Sequence, residues 1–309
     1  LFKEFQYLSP SNKVLTYQEI IDQIKAIYQK YSHLSEFQTI GASHDGRVIP
    51  MLKIGHGEKV LICSGGVHGR ESINPTILIE ILESYLRCHQ KGQVIAGKYD
   101  LCHFLNSCSI CMIPVLNPDG YVIATEGFEG IRDPILREKV MSQGISPKEW
   151  KLNGRCIDIN RNFPCASYIP QPTSPCSESE NETKALISTF NANDSIAYLD
   201  FHSRGKIIYY YRSAMPHAYN QKSRHLALSL QKITGYDLGS WKEEFSDALS
   251  GGNTVNYFSE KIGEPAITIE TLPEEAAFPL NEKYLLSAYQ EIFLVILETM
   301  KRHLSINKS

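Results

Sequence analysis

KVLICSGGVHGRES, Lys59–Ser72, is the stretch on which the reading turns. KVLICS has the length and apolar density of a buried strand, and two glycines end it. A histidine and a glutamate then follow three residues apart, His68 and Glu71, neither of which belongs in a core without a partner. A strand that ends on a glycine turn and opens into a polar loop is the edge of a ligand site in an α/β sheet.

The flanking segments support such a sheet. LTYQEIIDQIKAIYQKY has helical spacing, with Thr16 placed to cap it. FQTIGASHDGRVIPMLKIG alternates around SHDGR and predicts a hairpin. NPTILIEILESYLRCHQ reads as a helix with Pro75 in its first turn. SCSICMIPVLNP reads as a core strand ended by a turn at NPDG, and an irregular region follows from about Gly127 to Asn153. SIAYLDFHS, KIIYYY and GEPAITIET are further strands, SRHLALSLQKITG is a helix stopping at glycine, and NEKYLLSAYQEIFLVILETMKRHL is one long closing helix. Alternating strands and helices predict an α/β fold with helices on both faces of the sheet. No repeat or composition break divides residues 1–309, so a single domain is expected.

Apolar residues make up 42% and charged residues 21%, with a net charge of −3, the balance of an ordinary globular protein. No basic tract offers a nucleic-acid surface, and no apolar run approaches the ~20 residues of a membrane span. Among the eight cysteines, Cys108 and Cys111 form a CxxC inside an apolar run that suits a strand better than a redox turn. Cys165 and Cys176 flank a Pro-rich loop and could pair in an oxidising compartment. The sequence starts on Leu1, which does not choose between a removed signal peptide, a removed propeptide and an arbitrary boundary; localisation stays open between extracytoplasmic and cytoplasmic, with a slight lean to secretion.

His68, Asn117, His202 and Glu270 all fall at or just beyond the carboxyl end of an expected strand, where α/β sheets bind ligands. HxxE alone reads better as a turn histidine beside a glutamate favoured at a helix start, since the pattern recurs by chance. With His202, 131 residues beyond Glu71, it supplies the three protein ligands of a catalytic zinc site. Asp158, in GRCIDINRNFP, can accept the distal N–H of a ligating histidine, and Asn160 and Arg161 can grip a carboxylate. The same three residues also suit an ion-paired loop. Glu270 ends an apolar strand, where burial would raise its pKa and fit it for general-base work.

In this order and spacing, HGRE, NPDGY, DINRNF, DFHS and TIE closely resemble the zinc metallocarboxypeptidases of the carboxypeptidase A type, over roughly Leu15 to Leu304. The resemblance implies a mixed eight-stranded sheet between helices and one zinc per chain held by His68, Glu71 and His202. It also implies Glu270 as general base, Asp158 as partner of the first histidine, and Asn160 and Arg161 as binders of a peptide's free C-terminal carboxylate. The arginine that polarises the scissile carbonyl in that family has no direct counterpart in WKLNGR. Lys151 takes the role by position or Arg155 by chemistry, and the always-charged guanidinium favours Arg155. The family's loop tyrosine falls on Asp247, with Phe245 the nearest aromatic, leaving Tyr257 or IYYYR as substitutes. Thr254 falls near the position selecting the terminal side chain, in a pocket lined by GGNTVNYF. The short loops look like the bacterial branch, which includes enzymes cutting γ-D-glutamyl-diaminopimelate bonds in cell-wall peptides. The alternatives are an endopeptidase of that kind and a catalytically silent module that binds peptide carboxylates.

Overall fold

The computed structural model describes residues 11–171, 176–240 and 251–306. Its main sheet has eight strands: β1 (Ser35–Ala42), β2 (Val48–Ile54), β3 (Lys59–Ser64), β4 (Cys108–Ile113), β5 (Ser195–Ser203), β6 (Ile207–Tyr209), β7 (Asp237–Leu238) and β8 (Ala266–Thr271). They lie in the order β1-β2-β4-β3-β5-β8-β6-β7. Neighbours within β4-β3-β5-β8 are parallel, β1-β2 is the expected hairpin, and β2-β4 and β8-β6 are antiparallel. The sheet is therefore mixed, as the resemblance implied.

The central strands read as unbroken apolar runs because both faces are covered. Leu61 and Cys63 of β3 join one core with Ile110 and Met112 of β4 and Leu199 and Phe201 of β5. Val60 and Ile62 join the opposite core with Cys111, Ile113 and Tyr198. The first core is closed by helices Tyr17–Lys30, Ile73–Gln90, His217–Thr234, Leu285–Ile292 and Val295–Ile306. The second is closed by helices Asn181–Ala192 and Thr254–Ile262. Cys108 and Cys111 are buried strand residues, in keeping with the sequence reading.

Several elements differ from expectation. NPDG does not end in a turn but starts the helix Pro118–Glu126: Asn117 caps it through a 2.9 Å bond from Gly120 N–H, and Pro118 occupies the first turn, where no amide donor is needed. The closing helix is two helices, interrupted at Phe293, whose carbonyl accepts the Tyr85 hydroxyl. Cys165 is a free thiol with Sγ 3.3 Å from Ser167 Oγ, so the bridge to Cys176 is not formed. No helix among the described residues is long and apolar enough to cross a membrane.

From β3 the chain crosses to β4 on one side and from β4 to β5 on the other, so the carboxyl end of β3 is a switch point between opposite connections. Crevices for ligands form at such points. Here the crevice carries the loop Gly65–Ser72.

Candidate active site

Gly66 turns the chain out of β3 at a φ of +58°, a conformation that an L side chain rarely adopts. Gly69 lies so close to the helix begun by NPDG that a Cβ would sit 2.1 Å from the Gly120 carbonyl oxygen. HGRE needs its glycine because the loop is pressed onto the next element. Asn117 clamps the same region, its side-chain amide donating to the Val67 and Leu152 carbonyls at 3.1 and 3.2 Å. Its part is structural support beneath the rim.

On that loop His68 and Glu71 meet His202. Glu71 divides its two oxygens between the histidines: Oε1 lies 2.7 Å from His68 Nδ1 and Oε2 lies 3.0 Å from His202 Nδ1. The rings stand 5.0 Å apart between centroids, and the donor atoms of all three residues lie within 4.8 Å of one another. Each Nδ1 thus faces the common centre, while each Nε2 faces a carboxylate. His68 Nε2 lies 3.3 Å from Asp158 Oδ1, and His202 Nε2 lies 3.0 Å from Asp200 Oδ2. Two imidazoles and one carboxylate, with Asp200 bonded to His202 Nε2 and Asp158 beside His68 Nε2, fit a zinc ion.

Asp200 is absent from the sequence-based candidates. Its signal was available: Asp200 and His202 are two apart on one strand, so they share a face. Ser64 Oγ donates to Asp200 Oδ1 at 2.6 Å, and the Thr254 hydroxyl donates to Oδ2. Thr254 is buried at the start of helix Thr254–Ile262, where its hydroxyl helps orient the partner of His202. Its backbone N–H donates to Asn160 Oδ1 at 3.2 Å.

The charges of the cluster hold one another. Burial alone would raise Glu71, but His68 and His202 outweigh it and hold the carboxyl at about 2. Burial would likewise raise Asp200 and Asp158, and the facing histidines pull both below the usual range. For His202, burial opposes protonation, yet Asp200 and Glu71 raise its pKa well above the ordinary value. Metal binding at such a centre displaces protons.

Glu270 stands on β8 directly opposite His202 on β5, so their side chains leave the sheet on the same face. Burial pushes its carboxyl up to about 7, with the negative charges of Glu71 and Asp200 adding and the two histidines opposing. A carboxyl raised from 4.5 toward neutrality is matched to taking and returning a proton.

Arg161 is half-buried and donates to its neighbour's carbonyl, Asn160 O, at 2.7 Å. It makes no ion pair closer than 4 Å among the described residues, though its charge helps to hold Asp158 ionised. Lys151 and Arg155 go different ways. Lys151 Nζ lies 2.7 Å from Asp158 Oδ2, one carboxylate away from His68. Arg155 instead turns its guanidinium to Glu180, 3.5 Å from Oε1, so the structure does not bring it to the His68–Glu71–His202 centre. Side-chain chemistry favoured Arg155, but the preceding turn aims it elsewhere: Asn153 Oδ1 binds the N–H groups of Arg155 and Ile157 at 2.9 and 3.0 Å. Tyr257 is buried against Phe163 and Phe190 and does not replace the loop tyrosine; Phe245 and Asp247 lie outside the described residues.

A zinc carboxypeptidase family model matches residues 20–294. The chain belongs to the zinc carboxypeptidase family and is a peptide hydrolase of a zinc-dependent class. It is 25% identical to carboxypeptidase B of Astacus astacus over 300 residues, covering 86% of this chain and 92% of that one. A metallocarboxypeptidase A from Trichophyton rubrum is 27% identical over 212 residues, 62% of this chain and 46% of the relative. Among solved structures, the carboxypeptidase A from Helicoverpa armigera superposes with a TM-score of 0.73 at 20% identity, covering 96% of this chain and 75% of that one. The murein-tripeptide amidase MpaA from Escherichia coli O157 superposes with a TM-score of 0.51 at 16% identity, covering 85% and 91%. These likenesses show the shared fold.

Proposed function

We propose that this metallopeptidase removes the C-terminal residue of peptides, with His68, Glu71 and His202 holding its zinc. The observation that carries the reading is the half-buried Arg161 guanidinium, whose hydrogen bond among the described residues goes to the Asn160 carbonyl and which adjoins the Asn160 side-chain amide. A peptide carboxylate satisfies both, through charge-assisted hydrogen bonds. Binding the chain end there places the last peptide bond toward the His68–Glu71–His202 centre.

Zinc bound by the three ligands supplies Lewis acidity and makes water a nucleophile near neutral pH. Glu270 then accepts a proton from the attacking water and returns it to the departing amine nitrogen. Asp158 and Asp200 keep the histidine rings oriented. Lys151 is the cation tied to this group of residues, through Asp158, and takes the role of steadying the developing oxyanion. Lys151→Ala is expected to lower kcat by roughly 10²–10³ with KM little changed, whereas Arg155→Ala leaves kcat within a few fold. The reverse pattern in steady-state kinetics would return the role to Arg155.

Cell-wall stem peptides fit the same clamp, since diaminopimelate presents carboxylates at both ends. Incubation with a C-terminal peptide library and a muropeptide library, read by mass spectrometry, tests the reading. Products shortened by one C-terminal residue are expected, in whichever library contains the preferred side chain. Products cut only at internal bonds would contradict it.

A further inference from the structure

Apart from the active site, one other group of described residues brings metal-ligating atoms together: His44, Glu180 and Glu182, whose donor atoms lie within 4.8 Å of one another. His44 sits in the β1–β2 turn, Glu180 caps the helix Asn181–Ala192, and Glu182 lies in that helix's first turn. His44 Nε2 is 3.0 Å from Glu180 Oε2 and 4.0 Å from Glu182 Oε2. Both glutamate side chains are 0% exposed, while His44 at 16% opens the group to solvent. An imidazole nitrogen resting on a carboxylate oxygen, with a third donor beside it, repeats the pattern of the active-site ligands.

Two observations set this apart from an ordinary buried network. Glu182 Oε1 is buried and has no hydrogen-bond partner. A buried carboxylate oxygen without a donor is costly, and such an orphan signals a group that another species completes. Acidic groups are also crowded here. Asp45 and Asp119 share the single Arg47 guanidinium, and Asp119 is near enough to act on Glu182. Glu180 has the His44 imidazole at 3.0 Å and the half-exposed Arg155 at 3.5 Å. Four carboxylates thus gather in a largely buried region beside two guanidinium groups and one imidazole, a density of acid that favours a bound cation.

We propose that His44, Glu180 and Glu182 form a second divalent-cation site, of zinc type, distinct from the active site. An imidazole with two carboxylates suits zinc better than calcium or magnesium, which favour all-oxygen sites. Its role is structural. Asn153 Nδ2 donates to Glu180 Oε2 at 2.7 Å and to Glu182 Oε2 at 3.3 Å, while Asn153 Oδ1 organises the turn that follows. Asn162 Oδ1 accepts the Glu180 N–H at 3.1 Å. The ion therefore ties both ends of the loop that carries Asp158, Asn160 and Arg161.

The test is zinc content by plasma mass spectrometry, after chelation of the purified protein, reloading with zinc chloride and removal of excess metal. Two zinc per chain are expected in the wild type, one in His44→Ala and one in His202→Ala. A count of one that His202→Ala abolishes and His44→Ala preserves would overturn this site and leave the active-site reading intact. A count of one that shows the opposite dependence supports this site and removes the other. Anomalous scattering at the zinc edge from crystals of the reloaded wild type needs no variant. A peak between His44 and the two glutamates is expected, and its absence at full loading overturns the proposal.

Discussion

His202→Ala is expected to lower the zinc content by one per chain and to reduce peptide hydrolysis to the background of the assay. In the proposed site His202 is one of three protein ligands, and its Nδ1 and Nε2 link Glu71 to Asp200 in a buried group. Removing it leaves two buried carboxylates without their shared partner, a change that costs about 3–5 kcal/mol where buried ion pairs are broken. Lower thermal stability should therefore accompany the loss of metal. Asp200→Asn offers a milder comparison: the histidine remains but its orientation is less fixed, and zinc affinity should weaken by about 10–100-fold. Unchanged zinc content in His202→Ala would remove the histidine from the ligand set.

Glu270→Gln should separate metal binding from catalysis. The amide keeps the size and half-buried placement of the side chain opposite His202 but cannot carry a proton. Turnover should fall by roughly 10²–10⁴ with zinc content and melting temperature close to wild type. The pH profile gives a second readout. Glu270 acts as the base when deprotonated, and burial raises it from 4.5 to about 7 in the metal-free chain. A bound cation would draw it back down, so the acid limb of kcat/KM should lie between these values. Activity is lost as pH falls through that limb, and the limb should be absent from the residual activity of Glu270→Gln. A variant with wild-type kcat would exclude Glu270 as the proton carrier.

The strands could be read because their chemistry is uniform along each run. KVLICS and SIAYLDFHS coincide with Lys59–Ser64 and Ser195–Ser203, since burial on both faces admits almost nothing else. Two helices, Asn181–Ala192 and Thr254–Ile262, were not among the expected elements. Glu180 starts the first without a side-chain cap bond. Asn253 caps the second through Asn256 N–H at 2.7 Å. In both cases packing against the sheet overrides local preference. The proposed metal ligands stood out in the sequence because their types are rare at strand ends, and the fold brings them together. Asp200 escaped notice because a carboxylate inside an apolar strand looks like an exception until the histidine two residues on is seen as its partner. Arg155 shows the opposite limit: its chemistry pointed to the reacting carbonyl, and only the turn fixed by Asn153 reveals that it faces Glu180.

The central claim is that the Arg161 guanidinium makes this enzyme read a chain end. One peptide, prepared as the free acid and as the C-terminal amide, tests it with wild type and Arg161→Ala. Charge-assisted hydrogen bonds contribute about 1.5–3 kcal/mol, or roughly one to two orders of magnitude in kcat/KM. The wild type should prefer the acid by that factor, and Arg161→Ala should lose most of the preference through a slower reaction with the acid. Equal kcat/KM on acid and amide by the wild type would contradict the account, and Arg161 would then hold the loop rather than the substrate.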